Sequence, residues 1–179
     1  IFPWFAEGDP VLWWSPDPRM VLFLSEFHAS KSLRRVLGHA RLRVTFDTAF
    51  GDVMKGCAEV REGREGTWIT DAMVDAYTEL AKRGIAHSLE TWMADELVGG
   101  LYGVAVGRMF NGESMFSRQS NASKVALAHL VRQLERWAFE MIDCQMSTGH
   151  LRSLGARDIR RKEFLERLEH SLLETRTPC

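Results

Sequence analysis

The chain has 179 residues, 45% of them apolar, and a formal net charge of -1. That much apolar material can bury a core in one domain with room for a small appendage, which excludes an intrinsically disordered chain. The balanced charge excludes a general electrostatic field as the means of holding an anion, so an anionic partner must meet a local basic patch.

The opening, FPWFAEGDPVLWWSPDP, holds four prolines and three tryptophans in 17 residues. Residues before proline resist helix, and indole rings need a surface to lie on, so this stretch predicts a packed irregular segment. MVLFL at 20–24 reads as a buried strand. SEFHASKSLRRVLGHA has helix-compatible spacing and ends at Gly38 as a C-cap, and LRVTF at 42–46 alternates like a strand. Asp47 is placed to cap a helix whose stripe is Phe50, Val53, Met54 and Cys57. Thr70 caps another, with Met73, Val74, Tyr77, Leu80 and Ala81 ahead of Gly84. REGREG between them reads as a solvated turn.

From 85 to 117 the pattern changes to strands: IAHSLETWM, a turn at ADE, LVGGLYGVAVGRMF, then ESMFS. Asn111-Gly112 between the last two predicts a hairpin, because both central residues of a type I′ turn need positive φ. Glu113 then falls just past the turn. Ser120 or Asn121 opens a long helix with Leu127, Leu130, Val131, Leu134 and Trp137 on one face, and MIDCQ at 141–145 is a short strand. A strand, a helix of about five turns and another strand make a parallel crossover. The tail ends in an amphipathic helix, RKEFLERLEHSLLE, with Phe164, Leu165, Leu168 and Leu172 inward. Antiparallel strands followed by a parallel crossover predict an α+β domain, a mixed sheet flanked by helices.

Three cysteines at wide spacing, Cys57, Cys144 and Cys179, make neither a disulfide framework nor a zinc motif. The six histidines are scattered without a metal-binding interval. No G-x-S-x-G elbow is present. No run approaches the ~18 apolar residues of a membrane span, and the start has no signal-peptide pattern, so the cytoplasm is the expected address. An initial Ile suggests a fragment or a processed chain.

The strand ends of ESMFS and MIDCQ flank the long helix, so Glu113, Asp143 and Gln145 are expected to meet in one cleft. Two residues apart on a strand, Asp143 and Gln145 share a face, with Cys144 opposite. The plain alternative makes Asp143 a capping or salt-bridged acid and Gln145 a surface amide. Lys31, Arg34, Arg35, Arg41 and Arg43 form an acid-free basic cluster, readable as a phosphate contact or as a solvated face. Arg35 to Ala40 also spells R-x-x-G-x-A, a pyrophosphate loop of coenzyme A-binding acetyltransferases, but here it closes a helix where that loop opens one.

Taken together, IFPWF with GDPVLWWSPDPRMVL, EGTWIT, HSLETW, ELVGGLYGV, GESMFSR with NASK, and IDCQ with HLRSLGARDI resemble the leucyl/phenylalanyl-tRNA–protein transferases. The strings run in order from residue 1 to about 164. The resemblance implies an enzyme without a cofactor that moves Leu or Phe, less often Met, from aminoacyl-tRNA to a protein beginning with Arg or Lys, marking it for degradation. It also implies a catalytic domain similar in fold to GCN5-related acetyltransferases, expected here at 25–179, behind a truncated N-terminal domain at 1–24. A monomer with no membrane attachment is expected.

By position in the matched strings, Asp143 and Gln145 correspond to residues proposed to act in catalysis and Glu113 to the acid beside them. Trp4 and Trp68 correspond to indoles near the terminal adenosine, and Met115 and Ile142 look like pocket-wall residues. On periodicity, Leu127, Leu130 and Leu134 either complete that wall or are ordinary core. Gln145 is too weakly basic to take a proton at neutral pH, so its expected task is to accept a hydrogen bond from the attacking amine. Asp143 would orient Gln145 or stabilise the developing ammonium. Glu113 would pair with the donor's amino group or the acceptor's basic side chain. Lys31, Arg34 and Arg35 are the expected tRNA contacts. A coenzyme A-dependent acetyltransferase-like enzyme and a non-catalytic RNA-binding module are the competing readings.

Overall fold

Strand-forming runs with alternating apolar residues dominate the middle of the chain, and in the structure they assemble one large sheet. The structure is a computed structural model that describes residues 1–5, 10–39, 41–62 and 69–174. Two short strands, β1 (Phe2–Pro3) and β2 (Trp13–Trp14), pair antiparallel as a separate ribbon. The other strands are β3 (Arg19–Phe23), β4 (Arg43–Phe46), β5 (Ala86–Met93), β6 (Glu96–Val106), β7 (Met109–Ser117), β8 (Met141–Gln145) and β9 (Arg157–Ile159). They form a sheet in the order β4-β5-β6-β7-β8-β3-β9. The helices are α1 (Lys31–Leu37), α2 (Phe50–Glu62), α3 (Asp71–Lys82), α4 (Ala122–Arg136), α5 (Gly149–Arg152) and α6 (Arg161–Glu174).

The expected mixed sheet flanked by helices is present. β7 and β8 run parallel and are connected through α4, whereas the other neighbours are antiparallel. Residues 19–23, grouped by sequence with the N-terminal segment, lie inside this sheet between β8 and β9. Strand alternation sorts the core into two layers. Met20, Leu22, Leu101, Phe110 and Ile142 pack with Leu127, Leu130 and Leu134 of α4. On the other face, Tyr102 and Phe116 pack with α2 and α3, and Val21, Met109 and Met141 with Phe164 of α6.

Several local expectations are corrected by packing. The β6–β7 reversal sits at Gly107-Arg108, where Gly107 takes φ +59 and the Arg108 N–H donates to Ser171 Oγ of α6 at 2.5 Å. Asn111 and Gly112 are inside β7 instead, opposite Val104 and Gly103, and Asn111 Nδ2 donates to the Val104 carbonyl at 3.2 Å. Asp47 does not cap α2. Its carboxylate is taken by the Ser88 N–H at 2.7 Å and by His87 at 2.8 Å. Trp137, Leu165 and Leu172 are exposed, not inward; Trp137 is already past the last turn of α4. The helix ending at Gly38 covers only Lys31–Leu37, and REGREG extends beyond the described residues.

One glycine decides how closely β6 and β7 approach. A Cβ on Gly103 would stand 2.2 Å from the Asn111 carbonyl oxygen and 2.5 Å from the Phe110 ring, whereas one on Gly51 of α2 meets nothing within 4 Å. Gly103→Ala should therefore destabilise by about 1–3 kcal/mol of overpacking, while Gly51→Ala should be neutral or stabilising by roughly 0.5–1 kcal/mol. Thermal unfolding of the two variants checks this; equal shifts would contradict the packing.

Candidate functional site

β7 and β8 pair over Met109–Asn111 and Met141–Asp143, after which each strand carries one extra residue. In β7, Tyr102 opposes Ser114 and Gly103 opposes Gly112, so Glu113 is the unpaired residue of a bulge. In β8, Met20 opposes Gln145 and Val21 opposes Asp143, which leaves Cys144 as the extra one. Bulges bend a strand and re-aim side chains. Here the β7 bulge puts Glu113 and Met115, which strict alternation would turn to one face, in different layers.

Glu113 therefore does not share the surroundings of Met115. Met115 packs with the α4 layer, while Glu113 accepts a hydrogen bond from the Tyr77 hydroxyl of α3, in the layer on the other face. Gln145 takes φ +64, and its Nε2 donates to Glu113 Oε2 at 3.2 Å. Its own backbone N–H donates to Asp143 Oδ1 at 2.9 Å. The three residues expected to meet do meet. Asp143 is the salt-bridged acid of the plain alternative, and Gln145 is buried, not a surface amide.

The partner of Asp143 is Arg19. Arg19 Nε donates to Oδ1 at 2.9 Å and Nη2 to Oδ2 at 2.6 Å, with the two side chains 2% and 1% exposed. The guanidinium lies 5.3 Å from the Phe2 ring centre and 4.8 Å from that of Phe164. Sequence reasoning passed over Arg19. The available signal was a lone Arg at the head of an apolar strand, which must find a carboxylate when buried, and Asp143 is the matching acid in another apolar strand. Tyr77 was read only as core, and its hydroxyl is what that reading left out.

The electrostatics follow from burial. Burial raises the Glu113 carboxyl above its ordinary value of 4.5, against the hydrogen bonds from Gln145 and Tyr77, which lower it. Burial, then the charge of Glu113, raises the Tyr77 phenol, so it acts as a donor. Burial with neighbouring Asp143 pushes the Cys144 thiol up to about 12, which leaves almost no thiolate at neutral pH for nucleophilic work.

The remaining candidates are spread out. Leu127, Leu130, Leu134 and Ile142 are buried in one core layer, and Leu130 and Leu134 also border a cavity of about 430 Å³ with Phe110, Leu89 and Ala105. Glu113, Asp143 and Gln145 do not line that cavity. It lies toward the Gly107 turn, and Phe110 precedes Glu113 by three residues of strand, about 10 Å. Trp4 is 46% exposed, its ring 5.9 Å from that of Trp14. Trp68 lies outside the described residues. Lys31, Arg34 and Arg35 are exposed on α1, and Gly38 is the C-cap of that helix, the wrong end for a pyrophosphate loop. Among the described residues no cluster of three or more His, Cys, Asp or Glu is arranged to hold a metal ion, and no helix is long and apolar enough to cross a membrane.

The chain is similar to known proteins over nearly its whole length. Residues 21–169 match the family described as leucyl/phenylalanyl-tRNA protein transferase, and residues 1–17 match the N-terminal domain of the same family. Leucyl/phenylalanyl-tRNA–protein transferases of Nitrosospira multiformis and Azotobacter vinelandii are 62% and 58% identical over 94% and 96% of this chain, which spans 73% and 76% of their lengths. Among solved structures, a conserved protein of unknown function from Bacteroides thetaiotaomicron is 11% identical with a TM-score of 0.50, covering 91% of this chain and 56% of that one. An aminoglycoside acetyltransferase from an uncultured soil metagenomic sample is 10% identical with a TM-score of 0.48, covering 78% and 91%.

The raised Glu113 pKa has a sign that can be checked. The folded state holds this proton to higher pH than the unfolded chain, so its stabilising contribution is present below the unfolded value and lost as pH rises through the folded one. Glu113→Gln lacks that loss. Its melting temperature relative to wild type should be lowest at about pH 4 and rise toward about pH 8; a difference that does not change with pH would contradict the burial assigned to Glu113.

Proposed function

The chain belongs to the leucyl/phenylalanyl-tRNA–protein transferase family, and we propose that its acceptors are proteins beginning with Arg or Lys, with Leu and Phe, and less readily Met, as the group transferred. The observation that carries the reading is the hydrogen bond from Gln145 Nε2 to Glu113 at the ends of β7 and β8. With Nε2 so engaged, Gln145 presents Oε1 as an acceptor.

The chemistry asks little of a base. An aminoacyl ester is already activated, and an N-terminal amine with a reference pKa of about 7.7–8.0 is partly neutral near pH 7. The amine lone pair attacks the ester carbonyl, the new C–N bond forms, the C–O bond to the ribose breaks, and the amine's proton leaves with the ribose oxygen or to solvent. Positioning these atoms is worth about 7–11 kcal/mol in favourable cases. Gln145 Oε1 receives an N–H of the attacking amine and sets its direction. Asp143 works through Gln145: one oxygen holds the Gln145 N–H and both hold Arg19, so its charge is already matched and stabilising a developing ammonium becomes the weaker of its two expected roles. Glu113 supplies an anionic surface for a second amine, the donor's own or the basic side chain of the acceptor. Because the ester brings its own activation, the steps call on no cofactor.

Substrate placement follows the same layers. Met115, Leu127, Leu130, Leu134 and Ile142, which pack together on the α4 side of the sheet, are the wall against which the Leu or Phe side chain lies. An apolar wall distinguishes side chains by only about 1–3 kcal/mol per methylene, which fits acceptance of several unbranched-Cβ residues. Trp4 and Trp68 offer stacking surfaces to the terminal adenosine, and Lys31, Arg34 and Arg35 contact tRNA phosphates. The transferred residue marks the acceptor for degradation in the cytoplasm.

The protein mixed with Phe-charged tRNA and a peptide beginning with Arg should give a peptide heavier by one Phe residue. A peptide beginning with Asp should be unchanged. Mass spectrometry reads both, and equal modification of the two peptides, or of neither, would overturn the acceptor assignment.

A further inference from the structure

We propose that Arg19 is a positioning residue of the transfer site, setting the direction of the Gln145 side chain through Asp143 and tying that direction to the two ends of the chain. The inference rests on the reading of Gln145 as the group that orients the amine. Arg19 engages both oxygens of Asp143, and Oδ1 also accepts the Gln145 N–H. Gln145 stands in the left-handed region, φ +64, which a non-glycine residue holds only when its surroundings over-determine it. The Asp143 carboxylate is the group that receives the backbone of that strained residue, and Arg19 is what keeps the carboxylate turned.

Three observations separate this from an ordinary structural ion pair. A fully buried Arg–Asp pair is poor evidence for stability, since well-packed apolar replacements are often as stable or more so; its benefit here lies in direction. The two parallel N–H···O bonds fix the carboxylate plane, which a lysine cannot do. The guanidinium is itself flanked by aromatic rings on elements distant in sequence, Phe2 of β1 and Phe164 of α6. The segment between β2 and β3 is also tied to the start of α6, where the Arg161 N–H donates to Asp17 at 3.1 Å and Arg161 Nη1 to the Ser15 carbonyl at 2.7 Å. The N-terminal ribbon and the C-terminal helix thus set the position of a group inside the sheet.

The test uses the full chain with Arg19→Lys, which keeps the charge and loses the planar fork, and Arg19→Ala supplemented with methylguanidinium. With Phe-charged tRNA and an Arg-initiated peptide, Arg19→Lys should lose at least tenfold in kcat with both KM values within about twofold of wild type. Methylguanidinium should restore part of the Arg19→Ala rate and leave wild type unaffected. A folded Arg19→Lys with wild-type kcat, or a loss confined to KM, would overturn the proposal. If Arg19→Ala does not fold, Arg19→Lys decides alone. The NMR signals of the Gln145 backbone and side-chain amides, recorded without substrate, should shift between wild type and Arg19→Lys. Unshifted signals would overturn the positioning role whatever the enzyme transfers, whereas a wild type inactive with both peptides would count against the acceptor reading alone.

Discussion

Two extra residues, Glu113 in β7 and Cys144 in β8, determine what this sheet can do. The parallel pairing of β7 with β8 stops at Asn111 and Asp143, and the extra residues follow at Glu113 and Cys144. Period-two alternation from Phe110, which packs in the α4 layer, already turns Glu113 to the opposite face. Its carboxylate reaches Tyr77 and Gln145 there, and the bulge returns Met115, two residues on, to the layer where α4 packs. The glycines around it serve the same end: Gly103 admits the Asn111 backbone just where the register shifts.

The polar groups so collected are held from outside the two strands that bear them. Asp143 is locked by β3, Glu113 by α3, and Arg19 by rings from β1 and α6. A buried network of this kind is only as good as its least satisfied member, and here each charged or amide group has a named partner. The remaining acceptor, Gln145 Oε1, points the network toward chemistry that needs an oriented amine and little else. That matches an aminoacyl ester, whose activation is spent elsewhere in the cell and arrives with the substrate.

Much of this was legible in the residues, and the failures share a cause. The β7–α4–β8 crossover, the MIDCQ strand and the Thr70 cap follow from local periodicity and side-chain chemistry, and the structure has all three. Asn111-Gly112 misled because a strong local turn signal competed with Gly107, which α6 holds in place through Ser171. Asp47 misled in the same way, its carboxylate drawn to β5 by tertiary contact. The meeting of Glu113, Asp143 and Gln145 was readable as a consequence of topology, but its means were not. Bulges depend on pairing partners far away in sequence, and the mate of Arg19 lies 124 residues distant. Of the residues expected to wall a pocket, Leu130 and Leu134 border open volume, while Leu127 and Ile142 are buried in the same layer without lining it.

The central claim is geometric, that an amide oxygen at the end of β8 faces the reacting carbonyl. A crystal structure of the protein with a non-hydrolysable amide analogue of phenylalanyl-adenosine tests it directly. The account predicts the analogue's carbonyl carbon about 5 Å from Gln145 Oε1, leaving space for one amine about 3 Å from each, with the phenyl ring against the α4 layer. An analogue bound with its carbonyl away from Gln145, or with its ring in the layer of α2 and α3, would contradict it.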